Sequence, residues 1–370
     1  MSKDNSAVLY LEDGTLFRGR LFGHPGERAG DVVFNTAMTG YGEILTDPSY
    51  RGQIVIMSYP HIGNYGINSD ESEGYGIWPE GLIVKECCRG YSGFRAQTGL
   101  DRYLDSGGVI GLEGIDTRAL VRKIRQRGSM PGIISSVDFD PESLRRKLED
   151  TPPFSERNLV AEVNASDKAA HRVYSGGSSS GRIIGVVDFG AKLNILRRLE
   201  ERGLSVKLFP GSVSIEEILS SGADCVLLSN GPGDPVSVKG GIELARDLIE
   251  YNREKRLPVF GICLGHQLLG LGAGGKTYRL KFGHHGGNHP VKDLRDERVR
   301  ITSQNHNFCL DPETLPEGFE VTHINLNDRT VEGFRHRELP VMGVQFHPEG
   351  GPGPWESAYL FNEFMEYGNA

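Results

Sequence analysis

Apolar and polar residues alternate in blocks along the second half of the chain, and the blocks switch period. Residues 183–189 form a short apolar run that predicts a buried strand. Residues 194–202 carry a helical pattern that stops near Gly203, and residues 206–209 predict a second strand. Ser214 and Glu217 stand three apart just before Ile218 and Leu219, the spacing of a capping box that opens a helix. Residues 225–228 predict a third strand, residues 241–256 a further helix with Leu244, Leu248 and Ile249 on its apolar side, and residues 258–262 a fourth strand. Strands alternating with helices predict an α/β fold: an open, mostly parallel sheet with flanking helices. Ligands of such sheets sit beyond the carboxyl ends of the strands.

The first half is less periodic. Residues 7–11 and 16–21 read as strands around an Asp13-Gly14 turn, residues 53–57 as another strand, and residues 115–127 and 141–148 as helices. We expect a smaller α+β domain there. Between the halves lies Ser175-Gly-Gly-Ser-Ser-Ser-Gly181, which has no apolar side chain and little backbone restriction. The expected organisation is therefore an N-terminal domain over 1–174, a linker over 175–181 and a C-terminal domain over 182–370.

Composition narrows the class. A net charge of −8 in 370 residues argues against a nucleic-acid binder. No apolar stretch reaches membrane-spanning length, and the N-terminus lacks a secretory apolar core. The five cysteines, Cys87, Cys88, Cys225, Cys263 and Cys309, are odd in number and irregularly spaced, so neither a disulfide framework nor a zinc pattern emerges. A reducing cytoplasm is the expected compartment.

One cysteine stands apart. Gly261-Ile-Cys263-Leu-Gly265 follows an apolar strand and leads into an apolar, helix-like stretch. This is the layout of a nucleophile elbow with cysteine in place of serine: glycines permit a tight turn, and the helix N-terminus behind the sulfur favours the thiolate. The alternative is a buried structural cysteine at a strand end. A cysteine nucleophile needs a base and a group to orient that base. His347-Pro-Glu349 offers both types two residues apart, where side chains of an extended segment point the same way. Without the elbow, it would read as a surface pair. Gly231-Pro-Gly233, just after the third strand, has the flexibility to aim backbone N–H groups at a bound carbonyl, as does the N–H of Leu264. The alternative is an ordinary turn.

Together these three pieces resemble the class I glutamine amidotransferases, which carry a Cys-His-Glu triad in this chain order. The first half is similar to the N-terminal domain of carbamoyl-phosphate synthetase small subunits through Val33-Phe-Asn-Thr-Ala-Met-Thr-Gly40-Tyr-Gly-Glu-Ile-Leu-Thr-Asp-Pro-Ser49, Tyr59-Pro-His-Ile-Gly63 and Gly114-Ile-Asp-Thr-Arg118. Residues 281–290 and Gln304-Asn-His306 resemble that family in the second half. The resemblance implies Cys263 as nucleophile with His347 and Glu349 completing the triad. It implies glutamine held by Gly231, Gly233, Leu264, Gln267, Asn305, Asn307 and Phe308, with Ser49 reaching in from the first domain. The family commonly has glycine where this chain has Asn307; asparagine tolerates a left-handed backbone better than most residues. Also implied are a large partner subunit docked on the first domain, ammonia passed to it through a channel, and carbamoyl phosphate made there from bicarbonate for arginine and pyrimidine synthesis. ATP and magnesium belong to that partner, and this chain is expected to need no metal or cofactor.

Two other readings compete: a free-standing thiol hydrolase or glutaminase, and a scaffold with a dead elbow. The intact triad types speak against the second, and the long first domain without a nucleophile set speaks against the first. Gly270-Leu-Gly-Ala-Gly-Gly275-Lys276-Thr277 fits a phosphate-loop expression, but it is expected to end a helix rather than open one, which removes nucleotide binding there. His284, His285 and His289 match no metal-ligand spacing and read as part of a glycine-rich loop or strand.

Overall fold

The computed structural model describes residues 5–164, 173–174 and 181–367. Two compact units emerge: Met1–Arg157 with Lys281–Gly286, and Asn158–Leu280 with Gly287–Ala370. The division falls after Arg157, earlier in the chain than the glycine-serine run, and six residues of the second half join the first unit. Of the expected linker 175–181, all but Gly181 lies outside the described residues. No helix among the described residues is long and apolar enough to cross a membrane.

The first unit is built on a closed barrel of seven strands. Strands Ser6–Leu11 and Leu16–Gly23 pair antiparallel. The turn between them has Gly14 at φ 83°, with Thr15 N–H donating to the Asp13 carboxylate at 3.1 Å. Gln53–Met57 forms a strand as expected and runs parallel to Glu27–Asn35. Its residues alternate between two apolar clusters: Val55 and Met57 pack with Val33, Leu82 and Tyr41, whereas Ile54 and Ile56 pack with Val32, Leu9 and Leu120. Helix Thr117–Arg127 starts where Asp116 accepts from Ala119 N–H, and it buries Leu120 and Ile124 while its arginines face out. Ser49 sits in a short 3-10 turn of this unit, buried, with its N–H donating to Asp47 at 2.9 Å.

The second unit contains a ten-stranded sheet. Its centre is parallel: Ser205–Pro210, Ile183–Asp188, Cys225–Leu228, Val259–Ile262 and Val341–Val344 lie side by side in that order. An antiparallel wing of Val331–His336, Phe319–Asn325, Thr277–Asp293 and Val299–Leu310 follows. Val226, Leu228 and Val259 pack with Leu244, Leu248 and Leu268 on one face; Leu227, Phe260 and Ile262 pack with Ile195, Leu199, Phe361 and Phe364 on the other. Both faces of the parallel strands are thus covered, which is why they read as continuous apolar runs rather than alternating ones. The capping box at Ser214 and Glu217 is formed. The helix expected over 241–256 runs Lys239–Tyr251 instead. Asn252 ends it, its side chain donating to Leu248 O at 2.9 Å and accepting from Leu257 N–H at 2.8 Å. The glycine-rich segment 270–277 closes the elbow helix Leu264–Gly272 and leads into strand Thr277–Asp293, the reverse of a phosphate loop.

The two elbow glycines are there for space. A Cβ on Gly265 would lie 2.1 Å from Leu228 O, and one on Gly261 would lie 2.6 Å from the Gly265 carbonyl. Backbone atoms cannot yield as a side-chain tip does. Gly265→Ala is therefore expected to destabilise the chain by about 3 kcal/mol, the upper end of overpacking costs, measured by urea unfolding.

Candidate active site

The elbow places Cys263 at the junction of strand Val259–Ile262 and helix Leu264–Gly272. Its backbone adopts φ 52° and ψ −102°. That region is strained for any residue with a Cβ, and such strain is stored where the surrounding structure over-determines it. Here the Cys263 N–H donates to Val344 O at 2.9 Å, and the Gly265 N–H donates to Ser229 O at 3.0 Å. Both bonds pin the turn to neighbouring strand ends.

The parallel pairing of Val259–Ile262 with Val341–Val344 brings the His347 segment beside the elbow, with Ile262 opposite Val344. Beyond the strand, Gln345 N–H donates to Glu332 O and His347 N–H to Ser303 O, each at 2.9 Å. The extended segment expected there is not formed: past Val344 the chain bends at Gln345 and Phe346 and turns at Pro348 and Glu349, where Gly350 N–H donates to His347 O at 3.3 Å, and it is this turn that brings the two side chains together. His347 Nδ1 meets Glu349 Oε1 at 2.7 Å, with both side chains buried. His347 Nε2 has no hydrogen-bond partner of good geometry, and the Cys263 thiol acts on the ring electrostatically. Burial works to lower the pKa of this imidazole, but the Glu349 carboxylate and the Cys263 sulfur outweigh it and the value is raised.

Glu349 is itself held by a residue that sequence reasoning missed. Lys192 is almost completely buried and directs its Nζ at Glu349 Oε1 (3.1 Å), Gly350 O (2.6 Å) and Gly351 O (2.8 Å). Three acceptors use the three N–H donors of an ammonium. Burial would raise the carboxyl's pKa, but Lys192 first and His347 second reverse this and hold Glu349 well below the usual carboxylate range. Lys192 reaches this place from the loop after strand Ile183–Asp188. There Asp188 accepts from the N–H groups of Gly190 and Ala191, and Asn230 Oδ1 accepts from Lys192 N–H at 3.0 Å. Nothing in its local sequence marks it, since lysine two residues after a strand-end glycine is ordinary loop chemistry.

The remaining residues of the second unit lie on three elements: the loop after strand Cys225–Leu228, the elbow helix and strand Val299–Leu310. Gly231 follows strand Cys225–Leu228, and a Cβ there would lie 2.3 Å from Phe189 O; Gly233 requires glycine by its φ of 98°. Leu264 is the first residue of the elbow helix, and Gln267 lies one turn on, its N–H donating to Cys263 O. Asn305, Asn307 and Phe308 lie on strand Val299–Leu310, all buried. Asn305 O accepts from the Cys263 thiol at 3.6 Å, and Phe308 O from Gln267 Nε2 at 2.8 Å. Asn307 is not among the residues with positive φ, so its backbone is ordinary strand. The left-handed tolerance expected to matter there is not called on. Ser49 belongs to the other unit and is described with it above.

Comparison with known proteins agrees with both halves. A family model described as glutamine amidotransferase class-I matches residues 185–367, and one described as carbamoyl-phosphate synthase small chain, CPSase domain, matches residues 9–134. The carbamoyl phosphate synthase small chain of Aquifex aeolicus is 52% identical over 369 residues, covering 98% of each chain. Those of Chlorobaculum tepidum and Clostridium perfringens are each 48% identical, with 97% and 98% of this chain covered and 97% and 99% of theirs. The chain belongs to the carbamoyl phosphate synthase small chain family and carries a class-I glutamine amidotransferase domain.

Proposed function

We propose that Cys263, His347 and Glu349 carry out the glutamine hydrolysis of this glutamine-hydrolysing small chain. The observation that supports this best is the buried His347–Glu349 pair set beside a strained cysteine elbow. The Cys263 proton passes to His347 Nε2, and the thiolate attacks the side-chain amide carbon of glutamine. Backbone N–H groups near Gly233 and Leu264 receive the developing oxyanion, and His347 returns its proton to the departing ammonia. A thioester remains on Cys263. Water, deprotonated by His347, then releases glutamate and frees the thiol. Glutamine lies against Gly231, Gly233, Asn305, Asn307 and Phe308. The Nε2 of Gln267 is engaged by Phe308 O and Gln345 Oε1, so its Oε1 accepts from the substrate.

The ammonia goes to a large subunit that binds ATP and magnesium, uses bicarbonate, and supplies arginine and pyrimidine synthesis in the cytoplasm. The N-terminal unit is the docking platform for that partner. This chain needs no metal or cofactor for its own step.

The test is His347→Asn, which keeps similar size but removes the acid and base. Glutamate release is expected to fall at least about 10²-fold, with thioester turnover slowed. A variant that hydrolyses glutamine at nearly the wild-type rate removes His347 from the mechanism.

A further inference from the structure

The triad does not use every side chain that touches the sulfur. Gln345 is wholly buried, and its Nε2 donates to Cys263 Sγ at 3.7 Å. That length suits an N–H donor on sulfur, whose radius exceeds that of oxygen. The direction of the amide is set by its neighbours. Phe308 O is a carbonyl and only accepts, and Gln267 Nε2 donates to it at 2.8 Å. The second N–H of Gln267 then points at Gln345, at 2.9 Å, where only an oxygen can receive it. Gln345 Oε1 takes that position, and the Gln345 nitrogen is left facing the sulfur. One backbone carbonyl thereby orients two carboxamides in series.

A second polar contact of the sulfur works the opposite way. Asn305 O accepts from the thiol at 3.6 Å, which suits the protonated form and opposes a thiolate. Once the proton leaves for His347, a carbonyl oxygen faces an anion, and the N–H of Gln345 is the contact that strengthens. Hydrogen bonds gain strength when one partner becomes ionised. Burial of Cys263, at 3% exposure, removes water as a competing donor.

We propose that Gln345 is a catalytic residue, donating a side-chain hydrogen bond to Cys263 Sγ that stabilises the attacking thiolate, with Gln267 and the Phe308 carbonyl fixing its orientation. The proposal rests on Cys263 being the nucleophile. It places Gln345 in the set that the His347 segment delivers to the elbow: residue 345 to the sulfur and residue 347 to the proton, two positions apart in the bend that follows strand Val341–Val344.

The test follows the thiolate directly. Ultraviolet absorbance of the thiolate is titrated against pH in the full chain, with the Cys263→Ser curve subtracted to isolate this one sulfur. In Gln345→Met, which keeps bulk but has no donor, the midpoint is expected to rise by about one pH unit, a tenfold loss of thiolate at a fixed pH below it. Glutamine hydrolysis is expected to fall about tenfold near neutrality and to recover as pH rises, because the lost species is restored by base. A purely structural role gives a loss that pH does not repair. Gln345→Glu keeps the acceptor for Gln267 and replaces the donor by an oxygen, so its midpoint rises at least as far. Gln267→Met leaves Gln345 in place without its orienting partner, and a smaller rise is expected. Thermal melting checks that each variant is folded; if Gln345→Met is not, the other two carry the measurement. Unshifted midpoints in the folded variants overturn the proposal. A wild-type chain whose sulfur titrates, with the midpoint moving in Gln345→Met, but which hydrolyses no glutamine overturns the proposed function and leaves the Gln345–Cys263 contact standing.

Discussion

In the assembled synthase carrying Cys263→Ser, glutamine-dependent synthesis is expected to disappear while synthesis from free ammonia continues. The serine hydroxyl fits the elbow, since oxygen is smaller than sulfur and the backbone at φ 52° is unchanged by the exchange. It does not ionise near neutral pH, so the nucleophile proposed above is lost although the shape remains. Loss of a nucleophile in a catalytic triad costs on the order of 10⁶-fold in kcat, far beyond the loss of one oxyanion donor at about 10²–10³-fold. Ammonia added to solution bypasses the thioester entirely, because this step only makes ammonia. The measurement is carbamoyl phosphate formation with each nitrogen source. Equal loss with both would show that Cys263 serves something other than glutamine hydrolysis.

Lys192→Met is expected to destabilise the chain by about 3–5 kcal/mol, the usual cost of removing one partner from a buried ion pair. The methionine fills most of the lysine's volume, so the effect is electrostatic. It leaves the Glu349 carboxylate with His347 alone, and the carbonyls of Gly350 and Gly351 without their donor. The pH dependence identifies the cause. The folded-state pKa of Glu349 lies below its ordinary value of 4.5, held there by Lys192 and His347 against burial. A lowered carboxyl contributes stability that is fully present above the unfolded pKa and is lost as pH falls through the folded one. The difference between wild type and Lys192→Met should therefore be largest near neutrality and shrink as pH drops below about 4.5. Urea midpoints across that range measure it, and a difference independent of pH would assign the loss to packing. Glutamine hydrolysis should fall as well, since the carboxylate that orients His347 is no longer fixed.

Much of the parallel sheet was legible because its strands are buried on both faces. Cys225–Leu228 was read to the residue, and the capping box at Ser214 was read with its partner Glu217. Helix ends were less legible. Nothing in the apolar pattern of residues 241–256 announces that Asn252 stops the helix by bonding Leu248 O and Leu257 N–H, because those bonds depend on where the next strand begins. The first half was read only as α+β. Its closure into a barrel depends on pairings such as Glu27–Asn35 with Met130–Ser135, about a hundred residues apart, which no local period encodes.

The site divides along the same line. Cys263, His347 and Glu349 could be singled out from sequence because their residue types stand in short local patterns: two glycines and a strand make an elbow, and His347 and Glu349 stand two apart, although a turn at Pro348 and Glu349 rather than the expected extended chain brings them together. Lys192 and Gln345 could not be singled out this way. Each is a common residue at an unremarkable position, and each acts through partners 157 and 82 residues away in the chain, Glu349 and Cys263. Sequence alone therefore pointed to Cys263, His347 and Glu349 as candidates and determined the alternation of elements that carries them. Only the tertiary structure decided which buried cation holds the carboxylate and which amide faces the sulfur, because a hydrogen bond between distant segments depends on strand register and buried volume, neither of which has a local signature.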